Sequence, residues 1–516
     1  MSTPFALLFS KNILEISAYP LLTKGQGQGI IWVFIGGPVK KIRPDKMLSQ
    51  KGYVVLSGLF AYDRLFEEDC EMYLLKGNIR KLYFKYLSAA FGSALITSVY
   101  ALVDMAMVGQ YHGPVGTAAL AVIQPVWNVI YSLGLLMGIG GSVLFSMVRG
   151  KAEEETGREN EYFTAAVIGG IFLAAVAWAG ILLLERPILL FFGADESFLP
   201  LAERYLLPIK IVFPLYLFNQ VISAFLRNDN RPELAAAGVL VGGLFNMAGD
   251  YVFVFTFDMG IFGAGLATAI GAVLNFIVVC SHFFSGKNTL RLQKPDRLLC
   301  KLKEISVTGF STFFIDIAMG ILTVLFNRQI MKYLGTDALS VYGIIINIST
   351  FVQCCAYSAG QAAQPIISIN LGAGQSGRIR ETLRYALCST AVFGIFWTVL
   401  SMAFPNLYVY IFMKPSTEIL EIAPSIIRTY SSSFLLLPLN IFSAYYFQAI
   451  MKPRTAFAVS IFRGCIISGI LIIALPVLTG ADSIWFAMLA TEIVTAVYAT
   501  GKILRFTKEL PAGTAQ

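Results

Sequence analysis

Charge is scarce in this chain. Asp, Glu, Lys and Arg make up 14% of its 516 residues, against about 25% in soluble domains. Histidine is scarcer still, with His112 and His282 alone, too few for a histidine-rich metal centre or a relay of imidazoles. Seven cysteines (70, 280, 300, 354, 355, 388 and 465) show no CxxC spacing, which excludes a zinc ribbon and a redox pair and leaves small buried hydrophobes. No P-loop is present, so ATP hydrolysis is not the energy source. Gly372-Ala373-Gly374-Gln375-Ser376-Gly377 fits a dinucleotide pattern, but it follows an apolar helix rather than a strand and reads as a loop. Nothing here supports an enzyme. The start also lacks the charged, apolar, small-residue order of a signal peptide.

What is abundant is apolar sequence, at 56%, arranged in blocks of about 20 residues or more, long enough to cross about 30 Å of hydrocarbon. The pattern predicts an all-α polytopic membrane protein. Twelve spans are expected, at 83–108, 118–147, 162–184, 202–226, 233–256, 262–284, 305–332, 340–368, 382–404, 422–449, 456–478 and 483–504. Basic residues concentrate in the loops after even-numbered spans. Six lie in the central linker alone: Lys287, Arg291, Lys294, Arg297, Lys301 and Lys303. The opposite side has four, Arg186, Arg204, Lys332 and Lys414, which places both termini in the cytoplasm. The net charge of +8 thus reads as topology and contact with anionic lipid, not as nucleic-acid binding. Residues 1–71 contain no span and are expected to be an N-terminal extension, disordered or translated from an upstream start, with Met47 and Met72 as alternative initiators.

The halves repeat. Gly116-Thr117 before the second span answers Gly335-Thr336 before the eighth, Pro232 answers Pro453, and Thr268 answers Thr491, at offsets of 219, 221 and 223. Six spans per half keep the copies in the same orientation, giving two six-helix lobes related by a parallel pseudo-two-fold axis. The expected division is an N-lobe at 72–286, a cytoplasmic linker at 287–304, and a C-lobe with a short tail at 305–516.

Within the first half, Asn246 and Asp250 stand one helical turn apart in an otherwise apolar setting. An ionised carboxylate at the bilayer centre costs about 2.5–3.5 kcal/mol on insertion scales and marks function by default. Thr268 on the next span and Asp104 on the first bring further oxygens, a set suited to a proton or a hard cation such as sodium. The positions answering Asn246 and Asp250 are Ile467 and Leu471, so the ion site is expected in the N-lobe only. Asp316 lies between Phe313, Phe314 and Ile317 and is either a site residue or an interhelical bond. Arg463, about eight residues into its span, is expected to pair with an acid or a carbonyl. Tyr131 and Tyr342 are candidates to line a cavity for organic cations.

Several runs carry a family resemblance: Val103-Asp104-Met105-Ala106-Met107-Val108-Gly109, Phe225-Leu226-Arg227-Asn228-Asp229 through Pro232, Asn246 with Asp250, Gly263-Ala264-Gly265-Leu266-Ala267-Thr268, and Gln364-Pro365 followed by Asn370-Leu371-Gly372-Ala373-Gly374. From about Leu74 to Phe506 the chain resembles the multidrug and toxic compound extrusion (MATE) transporters, most of all their MepA-like bacterial branch. The resemblance implies a V-shaped cavity between two lobes. It also implies efflux of cationic drugs across the bacterial plasma membrane in exchange for sodium or protons, by a protein acting as a monomer with no other cofactor. Asp104, Asn246, Asp250 and Thr268 match the family's first-lobe cation site. The alternative is a flippase of the same superfamily for a lipid-linked substrate, which would be expected to line its cleft with arginines.

Overall fold

In the computed structural model, the residues described are 74–151, 158–196, 198–412 and 416–510, and every regular element among them is helical. The expectation for residues 1–71 therefore lies outside the described residues. Among the described residues, eleven helices are long and apolar enough to cross a membrane. We number the spans α1 Ile79–Gly113, α2 Val115–Arg149, α3 Glu159–Phe191, α4 Leu199–Asn228, α5 Pro232–Thr256, α6 Ile261–Phe284, α7 Leu298–Tyr333, α8 Gly335–Gly372 and α9 Ser376–Ala403, with α11 Pro453–Thr479 and α12 Ala481–Glu509. The twelfth, α10, comes in two pieces, Thr417–Ser431 and Leu437–Ala449, joined by a tight 3-10 turn at Ser432–Leu435. Pro438 explains the break. It donates no backbone hydrogen bond, and its ring collides with the carbonyl one turn earlier. All twelve expected spans are present, each extended by a few residues.

The repeat goes down to backbone detail. α5 and α11 both begin on proline, which suits the first turn because its missing N–H would have no helical partner there. The turns that precede them share one conformation. Asn230 and Met451, 221 positions apart, both adopt left-handed backbone, with φ of 58° and 57°. In the first turn the N–H of Arg231 bonds to Leu226 O, and in the second that of Lys452 bonds to Phe447 O, the matching carbonyl. Asparagine tolerates that conformation, whereas methionine takes it at a cost. Both α5 and α11 also contain a π-turn, at Tyr251–Thr256 and Phe462–Ile466. Such widened turns recur at functional sites.

Each lobe has its own buried core. One cluster spans α2, α3, α4 and α6, and another is built mainly from α7, α8, α10 and α12. The lobes meet along a seam at the end of the molecule where the linker lies. There the backbones of α2 and α8 touch at Gly150 and Gly372, and those of α2 and α7 touch at Gly140 and Gly309; a Cβ at any of the four would run into main-chain atoms of the facing helix. Small residues allow such approach where lipid provides no hydrophobic drive between helices. Tyr83 of α1 stacks on Tyr385 of α9 beside the seam, at 6.3 Å. Farther along, Ser98 of α1 meets Cys354 of α8 at 2.9 Å.

Candidate functional site

The first-lobe cluster is assembled by bringing two helices together at bare backbone. Gly242 of α5 and Gly271 of α6 face each other so closely that a Cβ on either would strike the other's carbonyl. This contact carries Thr268 to Asn246, whose Nδ2 donates to Thr268 Oγ1 at 3.0 Å and lies 3.5 Å from Asp250 Oδ1. On the other side, Tyr205 of α4 donates its hydroxyl to Asp104 Oδ2 at 2.7 Å and stands 3.3 Å from Thr268 Oγ1. A continuous polar chain results: Asp104, Tyr205, Thr268, Asn246, Asp250. The two carboxylates act on each other through space. All four residues expected from sequence thus converge, drawn from α1, α5 and α6. Asp250 is 0% exposed, Asn246 3% and Asp104 9%.

The cluster is incompletely satisfied. Asp104 Oδ1, Asn246 Oδ1 and Asp250 Oδ2 are buried without a hydrogen-bond partner. A buried oxygen in that condition forgoes about 1–3 kcal/mol, more if charged. Three such oxygens among two acids, an amide and a hydroxyl form an all-oxygen donor set suited to a small hard cation or a proton. Tyr205 is the member that the sequence reading missed. One tyrosine among 23 carries no signal until the packing of α4 against α6 is known. Its floor is set by Tyr216, which donates to Thr268 O at 3.0 Å, and Asn219, which donates to Ala272 O at 3.1 Å.

The second lobe repeats that frame with different chemistry. Asn440, 221 positions after Asn219, donates to Glu492 O at 2.9 Å, so each lobe ties its fourth and sixth helices with the same asparagine-to-carbonyl bond. Arg463 of α11 finds an acid, as expected: its Nε lies 2.7 Å from Glu492 Oε1, and Asn440 also donates to Oε2 at 2.5 Å. Where the first lobe holds acids with spare oxygens, the second holds a closed ion pair. Glu492 was not anticipated. Its signal was the unexplained arginine in α11.

Between the lobes is a second polar group. Tyr131 of α2 is 37% exposed although its neighbours Ile130 and Ser132 are buried, so it projects from the packed face of α2. Its electrostatic neighbours are Asp316 of α7 and Arg227 of α4, one from each lobe. Tyr357 of α8 donates to Asp316 Oδ1 at 3.2 Å, and Asp316 Oδ2 has no partner. Tyr342 does not join them. It is 3% exposed and stacks on Phe326 at 5.0 Å, flanked by Tyr430 and Trp485; it belongs to the second-lobe core.

The linker is docked rather than loose. The buried carboxylate of Asp229 receives Arg149 at 2.9 Å, meets His282 Nε2 at 2.6 Å, and accepts the Thr289 N–H at 3.2 Å and its hydroxyl. Burial works to raise the proton affinity of Asp229, but the His282 and Thr289 bonds and the Arg149 charge hold its carboxyl below the usual range. Downstream, backbone N–H groups of Arg291, Gln293 and Asp296 reach Asn160, Thr164 and Glu161 on α3. Lys301, already in α7, pairs with Glu161 at 3.0 Å.

Comparison with known proteins gives the following. The MatE family profile matches residues 89–252 and 311–473. The chain is 24% identical over 405 residues to the multidrug export protein MepA of Staphylococcus aureus (strain MSSA476), covering 77% of this chain and 88% of that protein. It is 22% identical over 410 residues to the MepA of Staphylococcus saprophyticus, covering 79% and 89%. Among solved structures, it superposes on a multidrug resistance MATE family transporter described in an outward-facing conformation, with a TM-score of 0.78 at 19% identity over 85% of this chain and 98% of that one. It also superposes on a transporter of the same superfamily from Pyrococcus furiosus, described as having a binding pocket of reversed polarity, with a TM-score of 0.79 at 18% identity over 86% and 99%.

Proposed function

Since the chain belongs to the MatE family, a family of transporters rather than enzymes, we propose that it expels organic, mostly cationic drugs from a bacterial cell in exchange for sodium ions or protons, by alternating access. Drug export is the activity named for its MepA relatives. The observation that carries the coupling step is the set of three buried side-chain oxygens without partners at Asp104, Asn246 and Asp250.

An ion entering from outside supplies the charge that this set lacks. It draws Asp104 of α1 towards Asn246 and Asp250 of α5 and changes how α1 packs on α5 and α6. Coupling requires unequal ion affinity in the two conformations, because equal affinity shifts nothing. The π-turn beginning directly after Asp250 gives α5 a place to yield. A monovalent ion moving down 100 mV releases about 2.3 kcal/mol, enough for modest accumulation outside. The residues involved are Asp104, Asn246, Asp250 and Thr268, with Tyr205 holding Asp104 in place.

The protein acts as a monomer in the plasma membrane, in contact with lipid and not with nucleic acid. The N-lobe is taken as 72–286 and the C-lobe as 305–516, with both termini in the cytoplasm. The flippase alternative expects a cleft dominated by arginine. Here the ionisable residues of the first-lobe cluster are the acids Asp104 and Asp250, so drug efflux is retained. The test is efflux of rhodamine 123, a fluorescent organic cation, from vesicles with a sodium or a proton gradient imposed. Efflux accelerated by one gradient is expected. Efflux indifferent to both would remove the coupling role of the cluster.

A further inference from the structure

The two lobes join their fifth and sixth helices by opposite means. In the first lobe, α5 and α6 meet on bare backbone at Gly242 and Gly271. At the offset of 221 that links Asn230 to Met451 and Pro232 to Pro453, Gly242 answers to Arg463. At the offset of 223 that links Thr268 to Thr491, Ala269 answers to Glu492. A glycine and an alanine in one lobe thus stand where the other has an arginine and a glutamate. Those two side chains tie α11 to α12 through Nε and Oε1 at 2.7 Å, and they are 5% and 0% exposed.

A carboxylate sealed from water has to be neutralised by a proton, a free cation or a fixed one. Asn440 donates to Glu492 Oε2 at 2.5 Å and to its carbonyl at 2.9 Å, which fixes the acid in place but brings no charge. The charge comes from the chain itself. Arg463 reaches Glu492 from within the π-turn Phe462–Ile466. Its neighbour Gly464 lets α11 lie directly on α7, where a Cβ would stand 2.6 Å from Ala318 Cβ. The other groups acting on the arginine are the hydroxyls of Tyr430 on α10 and Tyr357 on α8, the latter bonded to Asp316 of α7. The acids of the first-lobe cluster have no such resident cation: the chain's own partners for Asp104 and Asp250 are a tyrosine and an asparagine.

We propose that Arg463 is a tethered counter-cation, which holds the second lobe permanently in the neutralised packing that the first lobe reaches only with an ion bound. A guanidinium is charged at every physiological pH, so the place it fills does not empty during the cycle. The second lobe is then indifferent to sodium and to protons, and it serves as the fixed body against which α1, α5 and α6 shift. Arg463 is a positioning residue, since it acts through Glu492 and α12. Without it, the Glu492 carboxylate becomes an oxygen site open to a small cation or a proton. The proposal rests on the ion-coupling reading only for the comparison with the first lobe.

Hydrogen exchange on the full chain in nanodiscs of neutral lipid, with no gradient imposed, tests it. In the wild type, protection of residues 453–509 should stay within about twofold when sodium replaces choline at pH 8 or when the pH is lowered to 6, because no buried charge is left to neutralise. Arg463→Ala should lose about tenfold or more of that protection in choline at pH 8, since it strands a buried carboxylate. Sodium, the lower pH, or guanidinium at about 10 mM, far below denaturing concentrations, should each restore it. Guanidinium should do so best, because it rebuilds the lost fork. The double variant Arg463→Met/Glu492→Gln, which removes both charges, should regain wild-type protection and ignore all three cations. A wild type whose residues 453–509 respond to sodium as strongly as residues 83–284 would overturn the proposal without any variant having to fold. So would an Arg463→Ala protein that matches the wild type, or one that none of the cations protects. If Arg463→Ala does not accumulate in the membrane, the double variant decides: it should accumulate, and its failure would mean that the contact is packing rather than charge. Failure of the ion-coupling reading shows differently: residues 83–284 would ignore sodium and pH in every protein, while the Arg463→Ala responses stood.

Discussion

Replacing Tyr205 by phenylalanine removes one oxygen from the middle of the first-lobe cluster and leaves the ring that fills the space. That hydroxyl is 2.7 Å from Asp104 Oδ2 and 3.3 Å from Thr268 Oγ1. Tyr205 is 2% exposed, so water has little access to replace it. A hydrogen bond to a charged group contributes about 1.5–3 kcal/mol, and the longer neutral contact adds little. Asp104 Oδ1 already lacks a partner, so the variant leaves the carboxylate with neither oxygen held. At about 1.4 kcal/mol per factor of ten, the ion concentration for half-maximal efflux should shift by about 10- to 150-fold, with membrane yield unchanged. The assay is dye efflux from vesicles across a series of sodium concentrations and, separately, of pH. Because the tyrosine acts through Asp104, the double variant Tyr205→Phe/Asp104→Asn should be no worse than Asp104→Asn alone. A shift below about threefold, or losses that simply multiply in the double variant, would refute the reasoning.

Further outcomes are expected elsewhere in the molecule. Asp250→Asn should abolish ion-driven efflux without impairing insertion, since it removes a charge from the membrane interior; undiminished drug resistance in cells expressing it would exclude the coupling role. Hydrogen exchange with and without sodium, or across pH, should change mainly between residues 83 and 284; equal changes in both lobes would point to Asp316 as a second site. For the linker, the Asp229 carboxyl sits below its usual range, so its docking contribution is complete above the unfolded value of about 3.9 and is lost as pH falls through the lower, folded one. Exchange protection of residues 285–297 should therefore persist to about pH 4 and fall below it, and protection already lost near pH 6 would exclude Asp229 as the anchor. Tyr342→Ala should cost about 3–5 kcal/mol of stability through lost packing, read as a lower thermal-aggregation temperature, with the gradient preference of dye efflux unaltered.

Hydropathy and loop charge made the spans legible because hydrocarbon penalises every unpaired backbone group, so helices of membrane length are the solution that apolar blocks adopt. The same logic is blind to the break in α10. Charged and hydroxyl side chains such as Arg428 and Ser431 to Ser433 are tolerated within such a span, and the collision of Pro438 with the preceding turn divides it. Acids in apolar runs stood out by their cost, which is why Asp104 and Asp250 were found. Asn246 and Thr268 followed from helical spacing and from the return of the chain through α6. Tyrosines give no such signal. An aromatic ring suits the core, the lipid and a cleft alike, so Tyr205 was overlooked and Tyr342 was expected in a cavity, whereas it lies in a packed stack. Tyr131, drawn from the same class of residue, is exposed. Glu492, buried in the middle of the last span, carried the same signal as Asp104 and Asp250 and was passed over, although the isolated charge of Arg463 required a partner.

The seam of Gly140, Gly150, Gly309 and Gly372 has a mechanical consequence. A joint of bare backbone has no interlocking side chains to withdraw when it opens, and lipid tails replace the lost contacts with others of the same kind. Parting the lobes at the four glycines would forfeit dispersion alone, whereas beside them the bonds of Asn370 and Arg378 to Leu74 O and the α1 side chains buried against α8 would have to be given up as well. The same nakedness makes the joint easy to jam. A single methyl at Gly150 or Gly372 would act as a wedge, holding the two helices apart and biasing the transporter towards the state in which that end stands open. Such a variant would be a tool for trapping the opposite-facing conformation without touching either the ion cluster or the cleft.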